Sequence, residues 1–136
     1  MAKNMTENCI FCKIISGEIP SAKVYEDDRI LAFLDINPVN KGHVLIIPKE
    51  HYPLMTDTSD ELVAYIFVQA KKLMSVIKKA VKADLVVVSV VGLDVPHFHV
   101  HLVPRFLNDG LASWWPTKKY DEGEMAEYAK KIQDNL

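Results

Sequence analysis

Residues His97-Phe98-His99-Val100-His101 constrain this chain more than any other stretch. In an extended strand the side chains alternate between faces, so residues two apart point the same way. Three imidazoles then line one face at intervals of about 6.6 Å, while Phe98, Val100 and Leu102 line the other. The apolar set belongs in a core. A lone histidine is an ordinary surface or core residue, but three at period two point to a metal site or a catalytic site. The outer two stand about 13 Å apart along a strand. One ion with Zn–N bonds of about 2.0–2.1 Å does not bridge that span. The histidines are therefore expected to divide their duties.

The rest of the chain supplies the frame. Lys23–Glu26 and Ile30–Leu34 read as a hairpin around Asp27-Asp28. His43–Ile47 reads as a strand closed by Pro48, Leu85–Val91 as a buried strand, and His97–Val103 as a strand opened by Pro96 and ended by Pro104. Asn37-Pro38 and Lys41-Gly42 mark a loop. The clearest helix runs from Ser59 to Lys82. Leu62, Ile66, Ala70, Leu73, Ile77 and Val81 make one apolar face, and Thr58 with Glu61 reads as a capping box. Residues 122–135 read as a short amphipathic helix with Met125, Tyr128 and Ile132 inward. These elements predict an α+β fold, a mostly antiparallel five-stranded sheet with one long helix and a C-terminal helix. One domain is expected, with residues 1–8 frayed and 106–136 as a C-terminal extension.

Charge narrows the partners. Sixteen Lys and Arg against eighteen Asp and Glu give a formal net charge of -2. That balance argues against a nucleic-acid binder, though a single phosphate can still find a local positive pocket. The start carries no secretory pattern, and no run reaches the roughly 18 apolar residues of a membrane span, so a cytoplasmic protein is expected. There Cys9 and Cys12, a C-x-x-C, are reduced or metal-bound rather than a structural disulfide. Alone the motif fits a redox pair or idle thiols equally well. A four-ligand zinc site needs two histidines besides, for which His51 and one end of the histidine triplet are the candidates.

At this point the motifs resemble a known family. His97-Phe-His-Val-His-Leu-Val103 fits the H-φ-H-φ-H-φ-φ signature of the histidine triad (HIT) family, and Cys9–Pro20, Leu31–Pro38 and Gly42–Lys49 resemble its N-terminal segment and two central strands, in order. The look is that of the zinc-carrying, Hint-like (protein kinase C-interacting-protein-like) branch. The resemblance implies a homodimer that binds a purine nucleotide such as AMP or GMP and cleaves a phosphorus-linked group through a covalent nucleotidyl-histidine. It assigns His99 as nucleophile, with His101 and His43 at the α-phosphate and leaving group. It assigns Cys9, Cys12, His51 and His97 to one structural zinc. It gives Phe11, Ile14, Ile19, Phe33, Ile36 and Leu45 to the base, Asp35 to the ribose hydroxyls, and Ser89 and Gly92 to the phosphate region. A neutral imidazole attacks phosphorus without first losing a proton, which suits a histidine near its ordinary pKa.

The sequence also departs from that pattern. Ser89-Val-Val-Gly-Leu-Asp-Val-Pro96 is shorter than the family's loop, with Ser89 in the usual Asn position and Asp94 where a phosphate-contacting hydroxyl is usual. A carboxylate beside a phosphate is unfavourable, so Asp94 is expected to turn away or to pair with a cation. Trp114-Trp115-Pro116 reads equally as a core plug or as a rim at the pocket or partner subunit. Arg105 reads as a solvated strand-end residue, or one that reaches a phosphate. The leading function is hydrolysis of nucleoside phosphoramidates or related nucleotidyl compounds. The alternatives are a dinucleoside polyphosphate hydrolase or phosphorylase, a non-catalytic nucleotide-binding regulatory module, and a metal-binding protein that uses all five histidines.

Overall fold

The computed structural model describes residues 6–136, so most of the stretch expected to fray lies outside the described residues. The element order is α1 (Ile10–Ile15), β1 (Lys23–Glu26), β2 (Ile30–Leu34), β3 (Val44–Pro48), a 3-10 turn (Met55–Asp57), α2 (Asp60–Val81), β4 (Leu85–Ser89), β5 (Val100–Arg105) and α3 (Glu124–Gln133). All pairings are antiparallel, in the order β1-β2-β3-β5-β4. β1 and β2 form the hairpin expected around Asp27-Asp28, and β2–β3 and β4–β5 are antiparallel neighbours. The fold is the expected α+β sheet, with α1 in addition. Six residues are too few for a periodic signal; α1 is instead set at its start by Cys9, whose Sγ accepts from the Cys12 N–H.

The central strands are covered on both faces, and alternation sorts their residues between two cores. Ile30, Ala32, Val44, Ile46, Phe98, Val100 and Leu102 pack against Leu62, Ile66, Ala70, Leu73 and Ile77 of α2. Leu31, Phe33, Leu45 and Ile47 pack against Cys9, Phe11, Cys12 and Ile14 of the α1 segment. This two-sided burial explains why β2 and β3 read as nearly continuous apolar runs.

Several local expectations are corrected. The N-cap of α2 is Ser59, whose hydroxyl accepts from the Leu62 N–H; Thr58 instead donates to the Leu54 carbonyl, so the capping box at Thr58 and Glu61 does not form. Two adjacent hydroxyl residues competed for the cap, and the one nearer the first turn holds it. β4 is shorter than Leu85–Val91 and is an edge strand whose Leu85 and Val88 are exposed. β5 begins only at Val100 and runs through Pro104, whose carbonyl accepts from Asn40 Nδ2 at 2.8 Å. The β3 pairing has already ended at Leu102, so the missing proline N–H costs no bond on that side. His97 and His99 thus precede the ladder. Met125, Tyr128 and Ile132 do not face inward: α3 buries no residue within its own chain. Trp114 and Trp115 are 77% and 73% exposed, so they are no core plug.

Candidate active site and metal centre

Both groups of polar residues grow from the way β5 starts. Phe98 and Val100 anchor in the α2 core, which turns His97, His99 and His101 to the α1 side. There Phe11 packs edge-on against His97 and His99, with ring centroids 5.8 Å and 5.1 Å apart. His97 is fully buried, and His99 and His43 are 5% and 3% exposed. The face that the alternation predicts is kept although two of the three rings lie outside the regular ladder.

The main chain fixes which ring nitrogen carries each proton. A carbonyl can only accept, so His97 Nε2 donates to the Pro48 carbonyl at 2.9 Å and His99 Nδ1 donates to the His97 carbonyl at 2.7 Å. Lone pairs remain on His97 Nδ1 and His99 Nε2. An amide can only donate, so the Val39 N–H at 3.1 Å makes His43 Nδ1 the acceptor. His43 Nε2 then carries the hydrogen and donates to His101 Nδ1 at 3.0 Å. His101 is left with its N–H on Nε2. Among the described residues no buried side-chain polar atom lacks a partner. His99 Nε2 and His101 Nε2 have none, and therefore both reach solvent: one lone pair and one N–H, on rings whose centroids are 4.9 Å apart.

Burial disfavours a charge on either ring of the His43–His101 pair. Burial lowers the His43 pKa, against the nearby Asp35 carboxylate, whose Oδ2 lies 3.8 Å from His43 Nε2. Burial, followed by the charges of His99 and His43, lowers His101 to about 4, although Asp35 and Asp94 pull the other way. Asp94 itself is exposed, so it turns outward while its charge still acts on the ring. Asp35, His43 and His101 could together hold an ion, but the amide-fixed proton on His43 Nε2 occupies the lone pair an ion would need. Asp35 divides its oxygens: Oδ1 accepts from the Asn37 N–H at 2.9 Å and makes a turn, as its place before Asn37-Pro38 suggests.

The second group is Cys9, Cys12, His51 and His97, whose donor atoms all lie within 4.8 Å of one another. Cys9 Sγ and Cys12 Sγ stand 3.4 Å and 3.6 Å from His97 Nδ1, Cys12 Sγ stands 3.4 Å from His51 Nδ1, and the two Nδ1 atoms are 3.2 Å apart. Tetrahedral zinc with ordinary bond lengths places S and N about 3.6 Å apart and two N about 3.3 Å apart. The residues fit that ion. The Pro48 carbonyl holds the His97 proton away on Nε2, as the hydrogen-bond partners of metal-bound histidines do. Burial also holds His97 near 4, so the ring is neutral and able to ligate.

The remaining residues separate. Phe11, Ile14, Phe33 and Leu45 are buried in the α1-side core. Ile19 packs at its margin, and Ile36 is 89% exposed. Ser89 pairs with His101 across the sheet. Gly92, at φ 73, lines a cavity of about 210 Å³ shared with Pro53, Leu54, Met55, Thr56, Val90, Val91, Phe98 and His99. The segment 53–56 carried no chemical signal in the sequence. Arg105 reaches no site: its guanidinium bonds Asp109 at 2.7 Å and the carbonyls of Leu111 and Ala112, tying down the loop after β5.

Comparison with known proteins places this geometry. The HIT domain matches residues 16–108. The chain is 42% identical over 127 residues to an uncharacterized HIT-like protein of Methanocaldococcus jannaschii, covering 90% of this chain and 98% of that one. It is 39% identical over 134 residues to the adenosine 5'-monophosphoramidase of Saccharomyces cerevisiae, covering 94% and 82%. A solved Streptococcus mutans structure superposes with a TM-score of 0.87 at 39% identity, covering 97% of this chain and 87% of that one. A Zn-bound histidine triad family protein of Mycobacterium smegmatis superposes at 0.74 with 31% identity, covering 94% and 96%.

Proposed function

The chain belongs to the HIT domain family, and on that footing we propose that it is a nucleotide hydrolase that cleaves nucleoside phosphoramidates, or related nucleotidyl compounds, through a covalent nucleotidyl-His99. The observation that carries this reading is the solvent-reaching lone pair of His99 Nε2, held by the Nδ1–H bond to the His97 carbonyl. The relationship to a yeast protein named as an adenosine 5'-monophosphoramidase supports the substrate class.

In the first step a bond forms between His99 Nε2 and the α-phosphorus as the phosphorus–nitrogen bond breaks. The electron pair leaves with the nitrogen, which takes a proton from solvent and departs as the amine. In the second step water adds to phosphorus, its proton passes to solvent, the P–Nε2 bond breaks and the ring recovers its lone pair. Splitting the displacement in two lowers each barrier. His101 Nε2–H donates to the phosphoryl oxygens, and His43 keeps that hydrogen outward by filling His101 Nδ1. Asp35 Oδ2 takes the ribose hydroxyls, while Ser89 and the Gly92 amide serve the phosphate. The base lies over Ile19 and Ile36, backed by Phe11, Ile14, Phe33 and Leu45.

Cys9, Cys12, His51 and His97 hold a structural zinc in this reading. These four side chains would hold it from the α1 segment, the stretch after β3 and the stretch before β5, and it would supply structural cross-linking rather than bond cleavage. The protein acts as a homodimer: the β4 edge and the uncovered Met125, Tyr128 and Ile132 face of α3 are the surfaces a second copy would bury. His99→Ala tests the function. Turnover of adenosine 5'-phosphoramidate is expected to fall at least ~1,000-fold, with AMP affinity within a few-fold of the parent; unchanged turnover excludes His99 as nucleophile.

A further inference from the structure

We infer that Asn40 is a positioning residue for the proposed reaction: by pinning the turn from Val39 to Gly42 against the end of β5, it sets the direction of the hydrogen chain that ends on His101 Nε2. The inference rests on the proposed attack by His99. The chain has three links. The Val39 N–H donates to His43 Nδ1 at 3.1 Å, and His43 Nε2–H donates to His101 Nδ1 at 3.0 Å. The last hydrogen, on His101 Nε2, is the one that meets the phosphoryl oxygens. Reversed, with a hydrogen on His43 Nδ1, the same two rings would turn a His101 lone pair toward the phosphate. Asp35 Oδ2 favours the working direction but stands 3.8 Å from His43 Nε2. Among the described residues, the Val39 amide is therefore the hydrogen-bonded group that decides it.

Val39 does little to hold that amide itself. It is half exposed, and the turn lies beyond the last β3–β5 pair, Val44 with Leu102. Asn40 supplies the anchor. Its Nδ2 donates one hydrogen to the Pro104 carbonyl at 2.8 Å and the other to Asp109 Oδ2 at 3.1 Å. Its own carbonyl accepts from the His43 N–H at 3.1 Å. Both side-chain partners can only accept, which fixes the orientation of the Asn40 amide. Asp109 is held in turn: its carboxylate is 6% exposed and accepts from Arg105 Nε and from the Phe106 and Leu111 amides. The Arg105 guanidinium, and after it the Phe106 amide, hold that carboxyl well below the usual carboxylate range, so it remains a charged acceptor. Arg105 and Asp109 thus act on the histidines only through Asn40.

The test compares the full-length parent with Asn40→Ala. Long-range proton–nitrogen NMR spectra of protein labelled in the histidine rings tell a bare ring nitrogen from one that carries hydrogen. The parent is expected to show His43 Nδ1 bare and Nε2 protonated. In Asn40→Ala the His43 pattern is expected to become mixed, because a buried lone pair left without its donor is disfavoured about 5- to 100-fold. With adenosine 5'-phosphoramidate, kcat is expected to fall about 5- to 50-fold while KM stays within a few-fold, since the rings remain in place and lose only the direction of their hydrogens. Lys41→Ala, an exposed neighbour in the same turn, is expected to change neither readout. Should Asn40→Ala fold poorly, Asp109→Asn takes its place with the same expectations, because it keeps the shape and turns an N–H against the donors. The parent's His43 pattern in the folded variant, a kcat within about 2-fold of the parent, or an equal effect of Lys41→Ala overturns the inference and leaves hydrolysis through His99 intact. No turnover by the parent overturns the hydrolase reading and the positioning role with it.

Discussion

Replacing Cys12 by serine tests the metal centre at its best-defined point. Cys12 is 1% exposed, and its sulfur approaches both histidine nitrogens, at 3.4 Å from His51 and 3.6 Å from His97. Those spacings agree with tetrahedral zinc to within about 0.2 Å, so the site is already shaped for the ion and the variant loses one of four bonds without a substitute. Loss of an outer-shell partner alone costs 10- to 100-fold in affinity; loss of a ligand is expected to cost at least ~100-fold. By mass action that removes up to ~2.7 kcal/mol of stability at free zinc about 100 times the parent's Kd, where the variant is left largely empty. For a chain of this size ~1 kcal/mol shifts Tm by about 3–4 °C, so Tm should drop by about 10 °C. The assay is zinc content by elemental analysis beside a thermal melt, with and without chelator. The parent is expected to hold about one zinc per chain and to fall to the variant's Tm when chelated, while the variant ignores the chelator. A parent whose melt is indifferent to chelator, or a variant that keeps its zinc, refutes the reasoning.

Other outcomes follow from single residues. Gly42 sits at φ 101, and a Cβ there would lie 3.0 Å from Val81 Cγ1 and 3.5 Å from Pro104 Cγ. Gly42→Ala should cost about 2–4 kcal/mol in denaturant melts, strain and overpacking together; a change under about 0.5 kcal/mol contradicts the crowding. With a pKa near 4, the His101 ring signals should not titrate between pH 8 and pH 5 by NMR, and a midpoint near the ordinary value of about 6.5 would contradict the burial argument. The sign for stability follows. Between about pH 6.5 and 4 the unfolded ring binds a proton that the folded ring refuses, so His101 lowers stability as pH falls through that window.

Alternation was legible in the sequence because it is a property of strands alone: Phe98, Val100 and Leu102 went to one core and the histidines to the other side. The apolar face of α2 was equally clear from its 3.6-residue period, with Leu62 through Ile77 buried. The site's finer chemistry was not legible, because it rests on main-chain atoms. Nothing in the side-chain code announces that the Pro48 and His97 carbonyls and the Val39 amide will set three histidine protons. Residues 53–56 were opaque for a similar reason: Leu54 and Met55 have no periodic context, and only the fold brings them to His99. The outward apolar face of α3 shows the complementary limit. Amphipathic spacing says that Met125, Tyr128 and Ile132 share a face, not what covers it.

The account stands on His99, so trapping the covalent species tests it most directly. A burst of adenosine 5'-phosphoramidate labelled in the phosphoryl group, quenched in alkali within milliseconds, should leave acid-labile label on a peptide containing His99 in the parent and none in His99→Ala. Label on another residue, or turnover by the parent with no labelled protein at any quench time, would contradict it.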